Sequence, residues 1–130
     1  MFEDERDFGV RQWTVGGTTV VELTGELDLC AGVRAAGRLD AVTGGPRPDV
    51  VVDLRGVSFI DCSGLSVLIR ARKRTLDRGG RFGIVGDSPC VLRLLRLTRM
   101  IRVFTVHDDL ASALAAPGAP GPPAADGAIA

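Results

Sequence analysis

Six residues, Asp49-Val50-Val51-Val52-Asp53-Leu54, make a short and almost unbroken apolar run, and the stretch from Ser63 to Arg78 downstream is amphipathic. A run of this kind marks a strand covered on both faces. A buried strand that feeds a helix has to cross over to a parallel neighbour. This requirement constrains the fold more than any other feature of the chain.

The flanking segments repeat the alternation. Val10 to Val15 reads as a strand, Gly16-Gly17 as a two-residue hairpin turn, and Thr18 to Thr24 as the β-branched return strand. Gly25-Glu26-Leu27-Asp28 then leaves the strand. Residues 31–43 predict a helix with Val33, Ala36, Leu39 and Ala41 broadly on one side. Gly32 and Gly37 weaken it by about 1 kcal/mol each, and Gly44-Gly45-Pro46-Arg47-Pro48 stops it. After the buried strand at 50–54, a loop from Arg55 to Cys62 leads into a helix over 63–78. Its core face is expected to hold Leu65, Leu68, Ile69 and Leu76, and its wet face Ser66, Arg70, Lys73, Arg74 and Asp77. Gly79-Gly80 ends it. A strand at 81–85 follows, then a helix at 88–97 with Val91, Leu92 and Leu95 inward, a last strand at 102–106 and a last helix at 109–115.

The expected fold is therefore α/β, in the order β-β-α-β-α-β-α-β-α. A mixed, mostly parallel sheet of about five strands packs against about four helices. Residues 9–115 are expected to form this single domain, with a flexible start over 1–8. Residues 116–130 are expected to be a disordered tail, because four of the seven prolines fall in this Ala/Gly/Pro-rich stretch.

Charge and cysteine content narrow the function. Sixteen basic and sixteen acidic residues cancel, which argues against direct nucleic-acid binding, an affinity built on neutralised phosphates. Cys30, Cys62 and Cys90 are widely spaced, with no Cys-x-x-Cys pair and a single histidine, His107. Neither a disulfide framework nor a structural zinc site fits this pattern. One histidine also leaves little for acid–base chemistry, and no metal or cofactor is expected. No apolar run reaches the roughly 20 residues of a membrane span. The acidic start lacks the features of a secretory signal, so the expected location is cytoplasmic. Cys90 and Arg96 match a Cys-x5-Arg spacing, but the residues between them read as an amphipathic helix, so the match is accidental. The basic residues of 70–102, ten against two acidic ones, read chiefly as a solvated face.

Working groups in such sheets gather at the carboxyl ends of strands, where helix N-termini offer free N–H groups. Asp61-Cys62-Ser63-Gly64 stands at such a point. Taken alone, Asp61 or Ser63 reads as an ordinary helix cap, and Cys62 as a small buried filler.

A wider resemblance adds to this reading. Residues 51–65, Val-Val-Asp-Leu-Arg-Gly-Val-Ser-Phe-Ile-Asp-Cys-Ser-Gly-Leu, closely resemble the central segment of bacterial STAS-domain anti-sigma factor antagonists. There the segment runs Asp-Leu, a few residues, then Phe-Ile/Met-Asp-Ser-Ser-Gly-Leu. Gly25-Glu26-Leu27-Asp28, the stretch from Leu97-Thr98 to Val103-Phe104, and residues 108–114 resemble other family segments in the same order. The likeness spans about residues 10–115.

It implies a STAS-type domain that is not an enzyme. Such a domain binds an anti-sigma factor that is also a serine kinase, releases a sigma factor, and is switched off by phosphorylation until a phosphatase restores it. The phosphoacceptor maps onto Ser63, and the docking surface onto Asp28, Asp61, Cys62, Ser63, Gly64 and Ser66. A monomer or weak homodimer is expected. Phosphate adds about −1.5 to −2 charge. Each repulsion at about 6 Å is then on the order of 2 kcal/mol or more at a dielectric near 20. Cys62 departs from the usual Ser, Leu29-Cys30-Ala31-Gly32 from a commoner Thr- or Asn-containing run, and Arg99 stands where a small residue, often Gly, is common. A STAS scaffold or small-ligand subunit of a lipid-transport or signalling assembly is the alternative. An enzyme working through Cys62 is a more distant one.

Overall fold

A computed structural model describes residues 8–116. The expected flexible start and disordered tail lie outside these residues, except Phe8 and Ala116. Phe8 packs against the core, and its ring lies under the Arg34 guanidinium at 5.3 Å.

Five strands form one sheet in sequential order: β1 (Gly9–Val15), β2 (Thr18–Leu27), β3 (Asp49–Ile60), β4 (Arg81–Val85) and β5 (Val106–His107). The β1–β2 hairpin is antiparallel and the other three pairings are parallel. The helices are α1 (Leu29–Val42), α2 (Cys62–Asp77), α3 (Pro89–Leu97) and α4 (Leu110–Ala115). Val50, Val52 and Leu54 of β3 join Ala35 and Leu39 of α1, Leu65 and Leu68 of α2, and Val91 and Leu95 of α3 in one core. Val51 meets Val85 and Ala113 of α4 on the other face. The central strand is thus buried on both sides, as its composition requires.

Several boundaries and faces differ from the sequence reading. Residues 55–60 are not a loop: β3 continues through them to Ile60. Two register shifts against β2, between Glu22 and Thr24 and between Gly25 and Glu26, each place an extra residue in β3. Such bulges break strict alternation. Leu54, Val57 and Ile60 become the buried positions at intervals of three, a pattern that does not read as a strand. Gly25 to Leu27 likewise belong to β2.

On α2, Ile69 and Leu76 lie on the exposed shoulder at 38% and 43% exposure, and Ala71 and Thr75 take their places in the buried stripe. On α1 the buried residues are Ala31, Gly32, Ala35 and Leu39, whereas Val33 is exposed. Leu94 rather than Leu92 packs against the core from α3.

The last strand, expected at 102–106, is shifted and shortened. Residues 100–102 form a 3-10 turn, Phe104 inserts into the core beside Phe82, and β5 is only Val106–His107. Arg99 enters this turn at φ 64°, a left-handed backbone that favours glycine. That reversal lets Met100, Ile101 and Phe104 anchor a turn instead of alternating along a strand.

Candidate functional site

Leu27 and Ile60 are register partners at the carboxyl ends of two adjacent parallel strands. Adjacent strands lie about 4.8 Å apart, so the next residues, Asp28 and Asp61, stand side by side on the sheet rim. Each starts a helix. The Asp28 carboxylate accepts the Ala31 N–H at 3.0 Å, and the Asp61 carboxylate accepts the Gly64 N–H at 3.0 Å. Aspartate is a strong N-cap because it satisfies an otherwise orphaned donor. The cap of α2 is therefore Asp61 and not Ser63.

Ser63 sits two residues into α2, half-buried at the rim. Its hydroxyl donates to the same Asp61 oxygen, at 2.5 Å. That bond and the Gly64 N–H hold the Asp61 carboxyl below the usual carboxylate range, so it is ionised at neutral pH. With the hydroxyl hydrogen turned to Asp61, the lone pairs of the serine oxygen point away from it.

Cys62 is exposed, not a buried filler; the first residue of α2 projects from the rim. Ser66 is exposed one turn on, and its hydroxyl donates to the Ser63 carbonyl at 2.7 Å. Gly64 lies buried. A Cβ there would stand 2.5 Å from the Leu27 carbonyl oxygen and 2.8 Å from its Cγ. Glycine at 64 thus lets α2 start directly over the end of β2. Asp28, Asp61, Cys62, Ser63 and Ser66 come together on the rim, with Gly64 beneath them.

The sequence reading missed two features of this region. Leu29 and Val33 on α1 are 70% and 72% exposed, and Phe59 at the end of β3 is 44% exposed. Leu29 directly follows Asp28 and Phe59 lies two residues before Asp61, so both add apolar contact area at the rim. The signal for Leu29 and Val33 was their i, i+4 spacing directly after a cap. The second feature is a clamp. Arg70 makes two hydrogen bonds to Asp40, and Arg74 reaches Thr43 and the Asp40 carbonyl. These arginines join α2 to α1 instead of forming a free basic face.

Among the described residues, no group of His, Cys, Asp and Glu is arranged to hold a metal ion. No helix among them is long and apolar enough to cross a membrane.

The STAS-domain family model matches residues 13–113, and the chain belongs to that family. An anti-sigma factor antagonist from Mycobacterium paratuberculosis is similar in structure, with TM-score 0.78 and 26% identity over 87% of this chain and 96% of that one. An anti-sigma-factor antagonist (STAS) domain protein from Planctomyces limnophilus gives TM-score 0.71 and 25% identity over 81% of this chain and 93% of that one. A sulfate transporter family protein from Wolinella succinogenes shares the fold, with TM-score 0.67 and 24% identity over 79% of this chain and 86% of that one. A search of curated proteins found no significant sequence match.

Proposed function

We propose that this STAS domain is an anti-sigma factor antagonist whose partner binding is switched off by phosphorylation of Ser63. It works in the cytoplasm as the substrate of a serine kinase and is not itself an enzyme. The observation that carries the reading is the Ser63 hydroxyl at the start of α2, held by the Asp61 carboxylate and reachable from the rim.

The electrostatics support it. Before phosphorylation the rim offers Asp28 and Asp61 with the exposed apolar side chains of Leu29 and Phe59 close by in the chain. A protein partner can cover such a surface with an apolar centre and a polar edge. The kinase joins Ser63 Oγ to the γ-phosphorus of ATP, the bond to ADP breaks, and the hydroxyl proton departs. The Ser63–Asp61 hydrogen bond is thereby lost. A group of about −1.5 to −2 charge then stands beside an ionised carboxylate. The free N–H groups of α2 tolerate that charge locally, so the domain stays folded. The partner does not tolerate it, because the charge and bulk fall inside its footprint. The fold also occurs in a sulfate transporter family protein, so the reading rests on the site and not on the architecture.

The test is affinity capture of partners from the native cell, followed by incubation of the captured kinase with ATP and either wild type or Ser63→Ala. Phosphate on wild type alone is the expected result. Equal incorporation in both removes Ser63 from this role. Capture of transporter subunits with no kinase would replace the reading with a transport assembly.

A further inference from the structure

Ion pairs neutralise much of the charge on this fold. Arg11 pairs with Glu22, Arg55 with Asp53, Arg70 and Arg74 with Asp40, Lys73 with Asp77 and Arg81 with Asp49. The charges left over separate by sign. Among the described residues, the acidic side chains outside any ion pair are Glu26, Asp28, Asp61, Asp87, Asp108 and Asp109. Strands β2 to β5 are mutually parallel, so their carboxyl ends share one edge of the sheet. Glu26 and Asp28 flank the last residue of β2, Asp61 follows β3, Asp87 comes just after β4, and Asp108 and Asp109 follow β5. All of them therefore stand at the carboxyl edge.

Arginines collect at the opposite edge. Arg47 precedes β3, Arg78 precedes β4, and Arg96, Arg99 and Arg102 lie between the last turn of α3 and β5. Each is exposed, and none joins an ion pair among the described residues. The other arginines without an ion pair, Arg34, Arg38, Arg72 and Arg93, lie along the helices between the two edges. The acidic residues nearest the amino edge, Asp49 and Asp77, are both paired. Each edge also exposes apolar side chains. Leu29 and Phe59 accompany the acidic residues, and Leu97 and Val103, at 75% and 37% exposure, adjoin Arg96 and Arg102 in the chain.

We infer that the arginine edge of one copy docks on the acidic carboxyl edge of a second copy, so that the domain associates head to tail. The two faces differ, so the contact is heterologous, and every added copy leaves one edge of each kind open to the next. Sixteen basic and sixteen acidic residues leave no net charge to hold copies apart. Opposite potentials steer the two edges together and fix their pairing, while the exposed leucines, Phe59 and Val103 supply apolar contact between them. An anionic membrane would satisfy the arginines but would leave the matching acidic edge without a role. A copy seated on the carboxyl edge covers Asp61 and Ser63, so self-association and partner binding exclude each other. Head-to-tail docking needs neither phosphate nor a kinase, so it and the Ser63 switch can fail separately.

The full-length chain should be followed by sedimentation velocity at ionic strengths of about 0.01 M and about 1 M, where the Debye length is about 30 Å and about 3 Å. Wild type should grow past a dimer with rising concentration at low salt and return to monomer at high salt. Two double variants separate the edges. Arg99→Glu with Arg102→Glu reverses the arginine edge, and Asp87→Arg with Asp108→Arg reverses the acidic one. None of these four side chains makes an ion pair or hydrogen bond among the described residues, so both variants should melt close to wild type. Each alone should lose about tenfold or more in self-affinity. Mixed, they should form a one-to-one complex that grows no further, because each supplies the edge that the other lacks. Monomeric wild type at low salt would overturn the inference, and so would a wild-type dimer that grows no larger. Variants that each associate as wild type does, a mixture that stays monomeric, or binding to anionic lipid vesicles without self-association would overturn it equally.

Discussion

The first turns of α1 and α2 are near-copies set side by side. Asp28-Leu29-Cys30-Ala31 and Asp61-Cys62-Ser63-Gly64 both follow paired ends of parallel strands. In both, the aspartate accepts the N–H three residues on at 3.0 Å. The backbone rule is shared and the side chains differ. The second helical position carries a thiol in α1 and a hydroxyl in α2, and the third carries Ala31 or Gly64. Capping therefore fixes where the two turns stand, while one missing methyl decides which turn packs over its neighbour's strand and one oxygen marks the turn that the proposed function assigns as the switch.

That comparison can be attacked at each difference. The largest expected effect is at the third position. Gly64→Ala forces a Cβ to 2.5 Å from the Leu27 carbonyl oxygen and should cost about 3 kcal/mol in urea unfolding. Ala31→Gly should cost only about 1 kcal/mol. Similar losses at the two sites would mean that α2 does not depend on close approach.

Next is the second position. Under the proposed function, Ser63→Asp should weaken partner binding by about 100-fold, or about 2.7 kcal/mol. Cys30→Asp should weaken it by less than about tenfold, since no ionised carboxylate is hydrogen-bonded to that side chain. Isothermal titration against the captured partner compares the two, and equal losses would spread the switch over both turns.

The caps themselves come third. Asp28→Ala should destabilise by about 1 kcal/mol. Asp61→Ala should cost about 1.5 kcal/mol, because the Ser63 hydroxyl also loses its acceptor. Equal midpoints in thermal unfolding would mean that the serine bond contributes nothing.

The smallest effect is on pH dependence. The folded-state Asp61 carboxyl titrates below its ordinary value, chiefly through the Ser63 hydroxyl and then the Gly64 N–H. The unfolded chain therefore takes up this proton first as acid is added. The stabilisation from this group is complete above about pH 5 and fades as pH falls through its folded pKa. Asp61→Asn should unfold with a shallower dependence on pH between about 3 and 5. An unchanged slope would assign the acid sensitivity to other carboxylates, with Asp40, held low by Arg70, the next to test.

Much of this rim can be read without coordinates. The buried run at 50–54, the amphipathic stretch after it and an aspartate before each helix are local patterns, and local patterns follow from backbone geometry and side-chain chemistry. What failed to read was non-local. Residues 55–60 looked like a loop because two bulges against β2 shift the inward positions to intervals of three. Residues 102–106 looked like a strand because their β-branched and aromatic members suit one. In the fold, Phe104 is drawn into the core beside Phe82. Cys62 looked like filler because a small thiol usually is, and only the angle at which α2 leaves the sheet exposes it.

By itself the sequence determined an α/β domain with a hairpin start, the two capping aspartates and the segment that carries Ser63. These depend on hydrogen-bonding needs and apolar spacing within a few residues. Only the tertiary structure decided that Leu27 and Ile60 end level, which brings Asp28 beside Asp61. It alone decided that Gly64 lies against β2, and that the acidic and basic residues left outside ion pairs collect at opposite edges of the sheet. Strand register and helix docking are set by contacts between residues far apart in the chain, and no single window of sequence contains both partners.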